Sequence, residues 1–258
     1  MARGRLKRPK EIERMRAAGR LVAECFALLE ENIQPGVSLQ VLDQMVESHI
    51  RKNGAKPLYK GYQGSSAGHP PFPGTICASV NHEICHGLPD GRILQDGDII
   101  GIDIGLRLNK YCGDACVTFP VGTISPAAQR LLDVAKECLR VGIEAAQPGS
   151  NLNDIGRAIH DYADTQNVSV VREWGGHGIG RELHEAPSVS HVRQRGKSLR
   201  LRPGMTFTIE PMINAGRHEW LLLNDGWTVI TKDGSLSAQY EHTIAITPEG
   251  PEILTRLD

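Results

Sequence analysis

The chain has 258 residues, a formal net charge of −1, and 40% hydrophobic and 23% charged residues. This composition is typical of a globular protein with a full core, and the near-neutral charge gives no reason to expect nucleic acid or acidic ligands. No apolar run approaches the roughly 18 residues of a membrane span, and the basic N-terminus lacks the apolar stretch of a secretory signal.

The first ten residues form a basic segment. Its cationic side chains are Arg3, Arg5, Lys7, Arg8 and Lys10, and it contains no acid. A terminal charge run of this kind is usually solvated and partly disordered, so residues 1–10 are predicted to be a tail in preference to a docking element.

Cysteine usage predicts the cellular compartment. The six cysteines are scattered and include no Cys-x-x-Cys pair: Cys25, Cys77, Cys85, Cys112, Cys116 and Cys138. They are too few and too irregular for a disulfide scaffold in a chain of this size. They therefore predict reduced thiols in a cytoplasmic protein.

Two predicted helices come first along the chain. Apolar residues recur at helical spacing through residues 11–32, and Gln34-Pro35-Gly36 ends that pattern. Ser38 is suited to cap a second helix, which runs to about Asn53 and ends before Gly54.

The same helical pattern recurs in the second half. Pro126 begins a helix, Gln147-Pro148-Gly149 ends it 113 residues after the first Gln-Pro-Gly, and another helix follows over about 151–165. The predicted strands repeat as well, since 97–103 aligns with 204–210 and each pattern places a carboxylate six residues after a turn glycine.

Further strand and histidine positions complete the repeat: strands 111–119 and 236–247, with His86-Gly87-Leu88-Pro89 matched by His184-Glu185-Ala186-Pro187. Such internal similarity predicts an α+β fold of two halves, about 11–122 and 123–258, related by an approximate two-fold axis and sharing one sheet or site.

Four predicted strands each carry one acid on a face of small or polar residues. These acids are Asp103, Asp114, Glu210 and Glu241. One such acid would be read as solvent-facing, but four in two aligned hairpins, without a basic neighbour on their faces, repel each other unless cations hold them. Oxygen ligands with an imidazole suit Mn²⁺, Fe²⁺, Co²⁺ or Zn²⁺.

Candidate imidazole ligands are His177, within Gly175-Gly176-His177-Gly178-Ile179-Gly180, and His184. A dinucleotide-binding loop is excluded because no helix follows the glycines, which instead let a histidine approach a crowded centre. The remaining histidines are interpreted as structural or solvent-exposed: His49, His69, His82, His160, His191, His218 and His242. A zinc site at Cys112, Asp114 and Cys116 is the weaker alternative, since no second Cys/His pair accompanies it.

From about residue 8 onwards the chain resembles the type I methionine aminopeptidases of the pita-bread fold. Seven stretches carry the resemblance: Ser79-Val80-Asn81, Cys85-His86-Gly87-Leu88-Pro89-Asp90, Gly101-Ile102-Asp103, Gly113-Asp114, Gly176-His177-Gly178-Ile179-Gly180, Thr208-Ile209-Glu210-Pro211-Met212 and Ser237-Ala238-Gln239-Tyr240-Glu241-His242-Thr243. Only 25 residues separate His184 from Glu210, which leaves no room for the helical insertion of the type II enzymes.

The resemblance implies two divalent metal ions, of Co, Mn, Fe, Zn or Ni, in a single catalytic domain over 11–258. It implies that Asp103 binds one ion, that His177 and Glu210 bind the other, and that Asp114 and Glu241 bridge them. A Na⁺ or K⁺ site around Asn81, Glu83 and Ser237 is also implied.

The resemblance further implies catalytic roles for His86, His184 and Glu210, and a methionine pocket near Phe72, Cys77, His86 and Trp227. Glu210 is expected to act as general base, His184 to donate to the developing oxyanion, and His86 to hold the amide of the second residue. Three positions depart from the family: Ser66, His69 and Leu183 stand where relatives often carry Cys, Tyr and Phe.

The implied function is removal of the initiator methionine from nascent proteins, favouring small second residues. The expected enzyme is a cytoplasmic monomer that meets the ribosome transiently. The first alternative is a prolidase or Xaa-Pro aminopeptidase, enzymes that usually carry an N-terminal domain that this sequence does not show. The second is a non-catalytic ribosome- or RNA-binding module on the same fold.

Overall fold

The computed structural model of the protein describes residues 4–64 and 70–257. The helices in these ranges are α1 (Pro9–Glu30), α2 (Leu39–Lys52), α3 (Pro126–Ala145) and α4 (Leu152–Thr165). Each of the two halves therefore begins with a long helix followed by a shorter one, as the repeated Gln-Pro-Gly stops predict. None of the helices in the described ranges is long and apolar enough to cross a membrane.

The strands in chain order are β1 (Lys56–Pro57), β2 (Cys77–Val80), β3 (Glu83–Cys85), β4 (Ile99–Leu108), β5 (Tyr111–Pro120), β6 (Ser169–Val170), β7 (Gly176–Gly178), β8 (Glu185–Val189), β9 (Thr206–Ile209), β10 (Met212–Asn214), β11 (Trp220–Leu222), β12 (Val229–Thr231), β13 (Ser237–Gln239), β14 (His242–Thr247) and β15 (Gly250–Ile253). These strands form four antiparallel sheets. Their strand orders are β1-β4-β2 with β5 also paired to β4, β13-β10-β6, β11-β12-β3, and β15-β14-β9-β7-β8.

The helix boundaries follow from local chemistry. The hydroxyl of Ser38 accepts a hydrogen bond from the Val41 amide at 3.3 Å, which satisfies one of the free amides at the start of α2. Ser125 caps α3 in the same way at 3.1 Å from the Ala128 amide, with Pro126 at the first helical position. The predicted starts and ends agree with the observed helices to within about two residues, the usual uncertainty of helix ends.

Each helix pair packs on strands of its own half. The predicted apolar face of β4 is confirmed, because Ile100, Ile102, Ile104 and Leu106 are fully buried against α1 and α2. In the second half, α3 and α4 cover a cluster that includes Phe207 of β9. Burying one such side chain stabilises the fold by about 1.5–3 kcal/mol, so the two helical layers hold the strands between them in place.

The two predicted strands of the second half meet breaks: 204–210 ends as β9 before Glu210, and 236–247 is divided into two strands. β9 ends at Ile209 and β10 begins at Met212, while β13 ends at Gln239 and β14 begins at His242. The chain changes sheet at both breaks, and Pro211 at the first break has no amide hydrogen with which to continue a ladder. Glu210 and Glu241 therefore lie where two sheets separate, unlike Asp103 and Asp114, which lie within continuous strands.

The basic N-terminal segment differs from the predicted solvated tail over its described part. Lys7 is 7% exposed, its Nζ lies 2.6 Å from Glu185 Oε2, and its amide donates to the Gly204 carbonyl at 2.7 Å. The prediction was wrong here because the long aliphatic stem of a lysine can be buried when its ammonium group finds a carboxylate.

Candidate metal centre

The two acids of the first half lie diagonally across the β4–β5 hairpin. The register pairs Asp103 with Cys116 and Asp114 with Gly105, so both carboxylates project from the same face. The second half of the chain lies along the outer edge of β5, where the Glu241 amide donates to the Cys116 carbonyl at 2.8 Å and Thr243 Oγ1 donates to the Asp114 carbonyl at 2.8 Å, and the Asp114 side chain is buried.

Tyr59 joins these two acids, and the sequence interpretation missed it. Its hydroxyl lies 2.5 Å from Oδ1 of Asp103 and from Oδ1 of Asp114. Gly105 makes the approach possible, since a Cβ there would lie 2.6 Å from the Tyr59 ring. Glycines flank Asp103 in the sequence, but no local signal shows that the group beside it is a phenol 44 residues away.

The acids of the second half are positioned by their neighbours. Thr208 Oγ1 donates to Glu210 Oε1 at 2.7 Å, and the Glu210 amide donates to Nε2 of His191 at 3.1 Å. His191 is only 2% exposed and contacts the main chain of Glu210, in agreement with a structural role. Because Glu210 lies where β9 ends, its amide has no ladder partner and the imidazole takes that place.

His177 faces the acids from β7, which lies between β9 and β8 in the five-stranded sheet. Its Nε2 lies 3.5 Å from Asp114 Oδ2 and 3.6 Å from Glu210 Oε1, while Nδ1 lies 3.1 Å from the Gly178 carbonyl. When the ring is neutral, donation from Nδ1–H to that carbonyl leaves the Nε2 lone pair free to bind an ion beside the acids, the arrangement of a metal-binding imidazole.

The charges of the site are uncompensated by the protein itself. Burial, followed by the charge of Asp114, raises the pKa of Asp103 and of Glu241 well above the usual range, and burial raises the pKa of Glu210 to about 7. Burial lowers the pKa of His177, but the hydrogen bond to Asp114 and the surrounding carboxylates outweigh it and raise this pKa to about 9. Carboxylates gathered in this way take up protons unless a cation replaces them.

The donor set fits a divalent cation. Donor atoms of Asp114, His177 and Glu241 lie within 4.8 Å of one another, and Asp103 and Glu210 adjoin them. Glu241 Oε1 is buried without a hydrogen-bond partner among the described residues, as expected for an atom that binds an ion. Carboxylate oxygens with one imidazole are suitable ligands for Mn²⁺, Fe²⁺, Co²⁺ or Zn²⁺.

The alternative cysteine-containing site is not formed. The metal-type cluster found among the described residues contains no cysteine, and Sγ of Cys112 and of Cys116 contact backbone carbonyls of Arg181 and Gln239. All six cysteines are buried and free.

Tyr59→Phe is expected to weaken divalent-metal binding about tenfold, the usual effect of removing a group that orients a metal ligand. The phenol oxygen is within hydrogen-bond distance of both acids whose geometry the ion requires, and phenylalanine keeps the ring while removing that contact. Calorimetric titration of the metal-free protein with Mn²⁺ measures the change. Tyr111→Phe is the matched control, since its hydroxyl contacts Glu11 instead. Equal affinities of Tyr59→Phe and wild type would contradict the role.

A cavity of about 450 Å³ adjoins the acids and contains the predicted pocket residues Phe72, Cys77 and Trp227. The Phe72 and Trp227 rings meet edge to face at 5.3 Å between centroids. Tyr62, a second residue missed from the sequence, packs on Trp227 at 6.4 Å. The cavity is thus acidic at one end and aromatic at the other.

Both predicted catalytic histidines border this cavity. The His184 ring lies 4.3 Å from that of His177, and its Nδ1 lies 3.2 Å from the Tyr62 hydroxyl. Burial lowers the pKa of His86 and of His184 to about 4, with smaller contributions from neighbouring histidines. Both imidazoles are therefore neutral at pH 7 and able to donate one hydrogen bond.

Of the three positions that depart from the family pattern, the structure describes one, Leu183. Ser66 and His69 lie outside the described residues. Leu183 is 7% exposed and lines the cavity.

The residues of the predicted monovalent-cation site are neighbours. The Ser237 amide donates to the Asn81 carbonyl at 2.9 Å, and the Glu83 carboxylate accepts from the Val80 amide and from Arg92. The cation itself stays a prediction.

Comparison with known proteins identifies the family. The model of metallopeptidase family M24 matches residues 13–248. Methionine aminopeptidase 1 of Bacillus subtilis is 49% identical over 251 residues, which cover 97% of this chain and 98% of that protein. The chain belongs to the methionine aminopeptidases of family M24. Methionine aminopeptidase A of Synechocystis is 51% identical over 247 residues, with 95% of each chain covered.

Solved structures agree with this membership. The crystal structure of methionine aminopeptidase from Rickettsia prowazekii has a TM-score of 0.93 at 41% identity, covering 98% of this chain and all of that one. The predicted α+β pita-bread fold is thereby confirmed. An Xaa-Pro dipeptidase from Bacillus anthracis has a TM-score of 0.76 at 23% identity over 62% of its length, which shows a shared fold alone. The chain is therefore a methionine aminopeptidase, which is a metal-dependent exopeptidase.

Proposed function

We propose that the enzyme removes the initiator methionine from nascent proteins by hydrolysing the first peptide bond with two divalent metal ions, and that it favours small second residues. The observation that carries this proposal is the convergence of five metal-type side chains at one end of a cavity whose other end is aromatic. The methionine aminopeptidases that it resembles along nearly their full length support the same substrate.

The proposed ligand assignment places Asp103 on one ion, His177 and Glu210 on the other, and Asp114 and Glu241 between them. The two oxygens of Asp114 support this division, because Oδ1 shares the Tyr59 hydroxyl with Asp103 whereas Oδ2 faces His177. When bound, such ions polarise a carbonyl and make a water acidic enough to lose a proton near neutral pH.

Glu210 is the proposed general base. Its carboxylate borders the cavity beside His177, where it can take a proton from water and pass it to the leaving amine. Its orientation is held by the Thr208 hydroxyl on Oε1 and by His191 on its amide.

The two neutral histidines are proposed to hold the peptide bond. His184, which is exposed to the cavity and contacts Tyr62, would donate to the carbonyl oxygen as it becomes negative. His86 would bind the amide of the second residue. Phe72, Cys77 and Trp227 form an apolar, polarizable pocket suited to an unbranched thioether side chain.

His184→Ala is expected to lower kcat on Met-Ala-Ser by about 10²–10³-fold, the effect of losing one oxyanion donor. Metal content should remain near normal because His184 is not a proposed ligand. Stopped assays and metal analysis of the same preparation measure both quantities. Loss of metal in this variant would instead assign His184 to the ligand set.

The function is tested with a tripeptide series Met-Xaa-Ser and with Xaa-Pro peptides, each assayed with Mn²⁺, Co²⁺, Fe²⁺, Ni²⁺ or Zn²⁺. We expect rapid release of methionine when Xaa is Gly, Ala or Ser, and little when it is Leu or Trp, because the second residue must fit beside the metals. Preferential cleavage of Xaa-Pro peptides would overturn the proposal in favour of a prolidase. No cleavage at all would favour a non-catalytic module.

We further propose a cytoplasmic monomer in which 11–258 form one catalytic domain and which meets the ribosome transiently, since its substrates are growing chains. Light scattering and co-sedimentation with translating ribosomes test these points, and a stable dimer would contradict the first.

A further inference from the structure

Two sheet edges border the mouth of the active-site cavity. β8 is the outermost strand of the five-stranded sheet and contributes Ser188 to the cavity wall, while β11 is the outermost strand of a three-stranded sheet and contributes Leu222. A peptide whose first residue lies in the cavity can leave past either of these edges. An extended peptide can add itself to a sheet edge that offers unused amides and carbonyls.

The β8 edge is covered. A Cβ on Gly4 would lie 2.1 Å from the Ala186 carbonyl oxygen, so the N-terminal segment already packs there. Lys7 is bonded to Glu185 of the same strand at 2.6 Å. Pro187, in the middle of β8, has no amide hydrogen to offer. This edge is therefore unsuited to bind a further strand.

No strand of the described residues pairs with the outer edge of β11. Lys232 donates to the Glu219 carbonyl and Leu223 donates to the Thr228 carbonyl, each at 2.9 Å, so these residue pairs are hydrogen-bonded ones. Hydrogen-bonded pairs alternate along an antiparallel ladder. Trp220 and Leu222 between them consequently direct their amides and carbonyls away from β12, along the outer edge.

The side chains of this edge are apolar. The consecutive residues Leu221, Leu222 and Leu223 are 46%, 47% and 39% exposed. Trp220 packs on Trp174 at 4.5 Å, and Trp174 also borders the cavity. Exposed edges are normally protected by Lys, Pro or a bulge, and residues 220–223 contain neither charge nor proline.

We propose that β11 binds the substrate chain beyond its second residue as an added strand. Trp220 and Leu222 supply the main-chain hydrogen bonds, and an apolar substrate side chain covers Leu222. The occupant is the nascent chain itself because Leu222 belongs both to the cavity wall and to the exposed edge. This inference rests on the proposed function and adds a preference for extended, apolar segments after the second residue.

The first test compares Met-Ala-Ser with Met-Ala-Ser-Val-Val-Val on the metal-loaded wild-type enzyme. Two added main-chain hydrogen bonds are expected to lower KM about tenfold. Methylating the amide nitrogen of residue 4 in one peptide and of residue 5 in another separates pairing from simple apolar contact. Only one of these methyl groups should remove the advantage, since alternate residues face β11. Equal effects of both, or no advantage of the longer peptide, overturn the proposal.

The second test uses Leu222→Asp, with Leu257→Asp as a matched control at another leucine of similar exposure, 49%. The KM ratio of the tripeptide to the hexapeptide should fall several-fold in Leu222→Asp, because the apolar contact beside the main-chain pairing is replaced by a charge, and should stay near ten in the control. An unchanged ratio in Leu222→Asp overturns the proposal. Failure to cleave any methionyl peptide would contradict the proposed function itself, which distinguishes the two failures.

Discussion

Glu241→Gln is expected to abolish both metal binding and hydrolysis of Met-Ala-Ser. Glu241 Oε1 is buried without a hydrogen-bond partner among the described residues. A buried carboxylate oxygen of this kind is destabilising unless a cation binds it. Glutamine has nearly the same shape but removes the charge and can present an NH₂ group to the ion. Asp103→Asn, at the other end of the cluster, is expected to have the same effect.

Metal analysis of the purified variants, together with kcat/KM after addition of excess Mn²⁺ or Co²⁺, measures this effect. Glu252→Gln is the control, since that acid pairs with Arg16 away from the cavity. Circular dichroism verifies that each variant is folded. Stoichiometric metal or wild-type activity in Glu241→Gln or Asp103→Asn would rule out the assigned ligand set, as would full activity of the metal-free wild type.

The metal-free protein is expected to lose thermal stability as pH rises from 7 to 8.5. The pKa of His177 is raised to about 9, so its stabilising contribution is complete below the ordinary pKa of 6.5 and is lost as pH approaches 9. The raised pKa values of Asp103 and Glu241 act in the same direction, because their charged forms are disfavoured only in the folded state. Histidines with lowered pKa, such as His184 and His191, are neutral in both states over this range.

Bound metal should remove this dependence, because the ion replaces the protons and holds the carboxylates in their charged form. Melting temperatures of chelator-treated and Mn²⁺-loaded protein at pH 7.0, 7.75 and 8.5 measure the difference. A decline of at least about 4 °C is expected for the metal-free protein, the shift that roughly 1–2 kcal/mol produces in a chain of this size. Buried thiols contribute equally to the metal-free and the Mn²⁺-loaded protein. Equal declines of melting temperature with pH in these two forms would therefore contradict an uncompensated cluster of carboxylates.

Local sequence patterns were sufficient to predict much of the fold. Helical periodicity, the two Gln-Pro-Gly stops and the Ser38 cap depend on residues within a few positions of each other, and the helices form as predicted. The apolar face of β4 follows from alternation alone. Membership of the family rested on short stretches that stand in order along nearly the whole chain.

The strands of the second half show what local sequence patterns did not predict, namely the positions of the strand breaks. Residues 204–210 and 236–247 alternate as continuous strands would, yet the first strand ends before Glu210 and the second is divided at 240–241, where the chain moves from one sheet to another. Alternation records which side of a strand is apolar but not which neighbour the strand pairs with. The positions of Glu210 and Glu241 at these breaks are consequences of pairing between distant segments.

The sequence by itself determined the helix pairs, the repeated acids and their assignment to a metallopeptidase, because these depend on near neighbours and on ordered motifs. Only the tertiary structure decided that Tyr59 joins Asp103 to Asp114, that His191 holds the Glu210 amide, and that Lys7 is buried. It also decided that the N-terminal segment packs on β8, whereas no strand of the described ranges pairs with the outer edge of β11. Contacts of this kind join residues tens to hundreds of positions apart, and no local pattern encodes them.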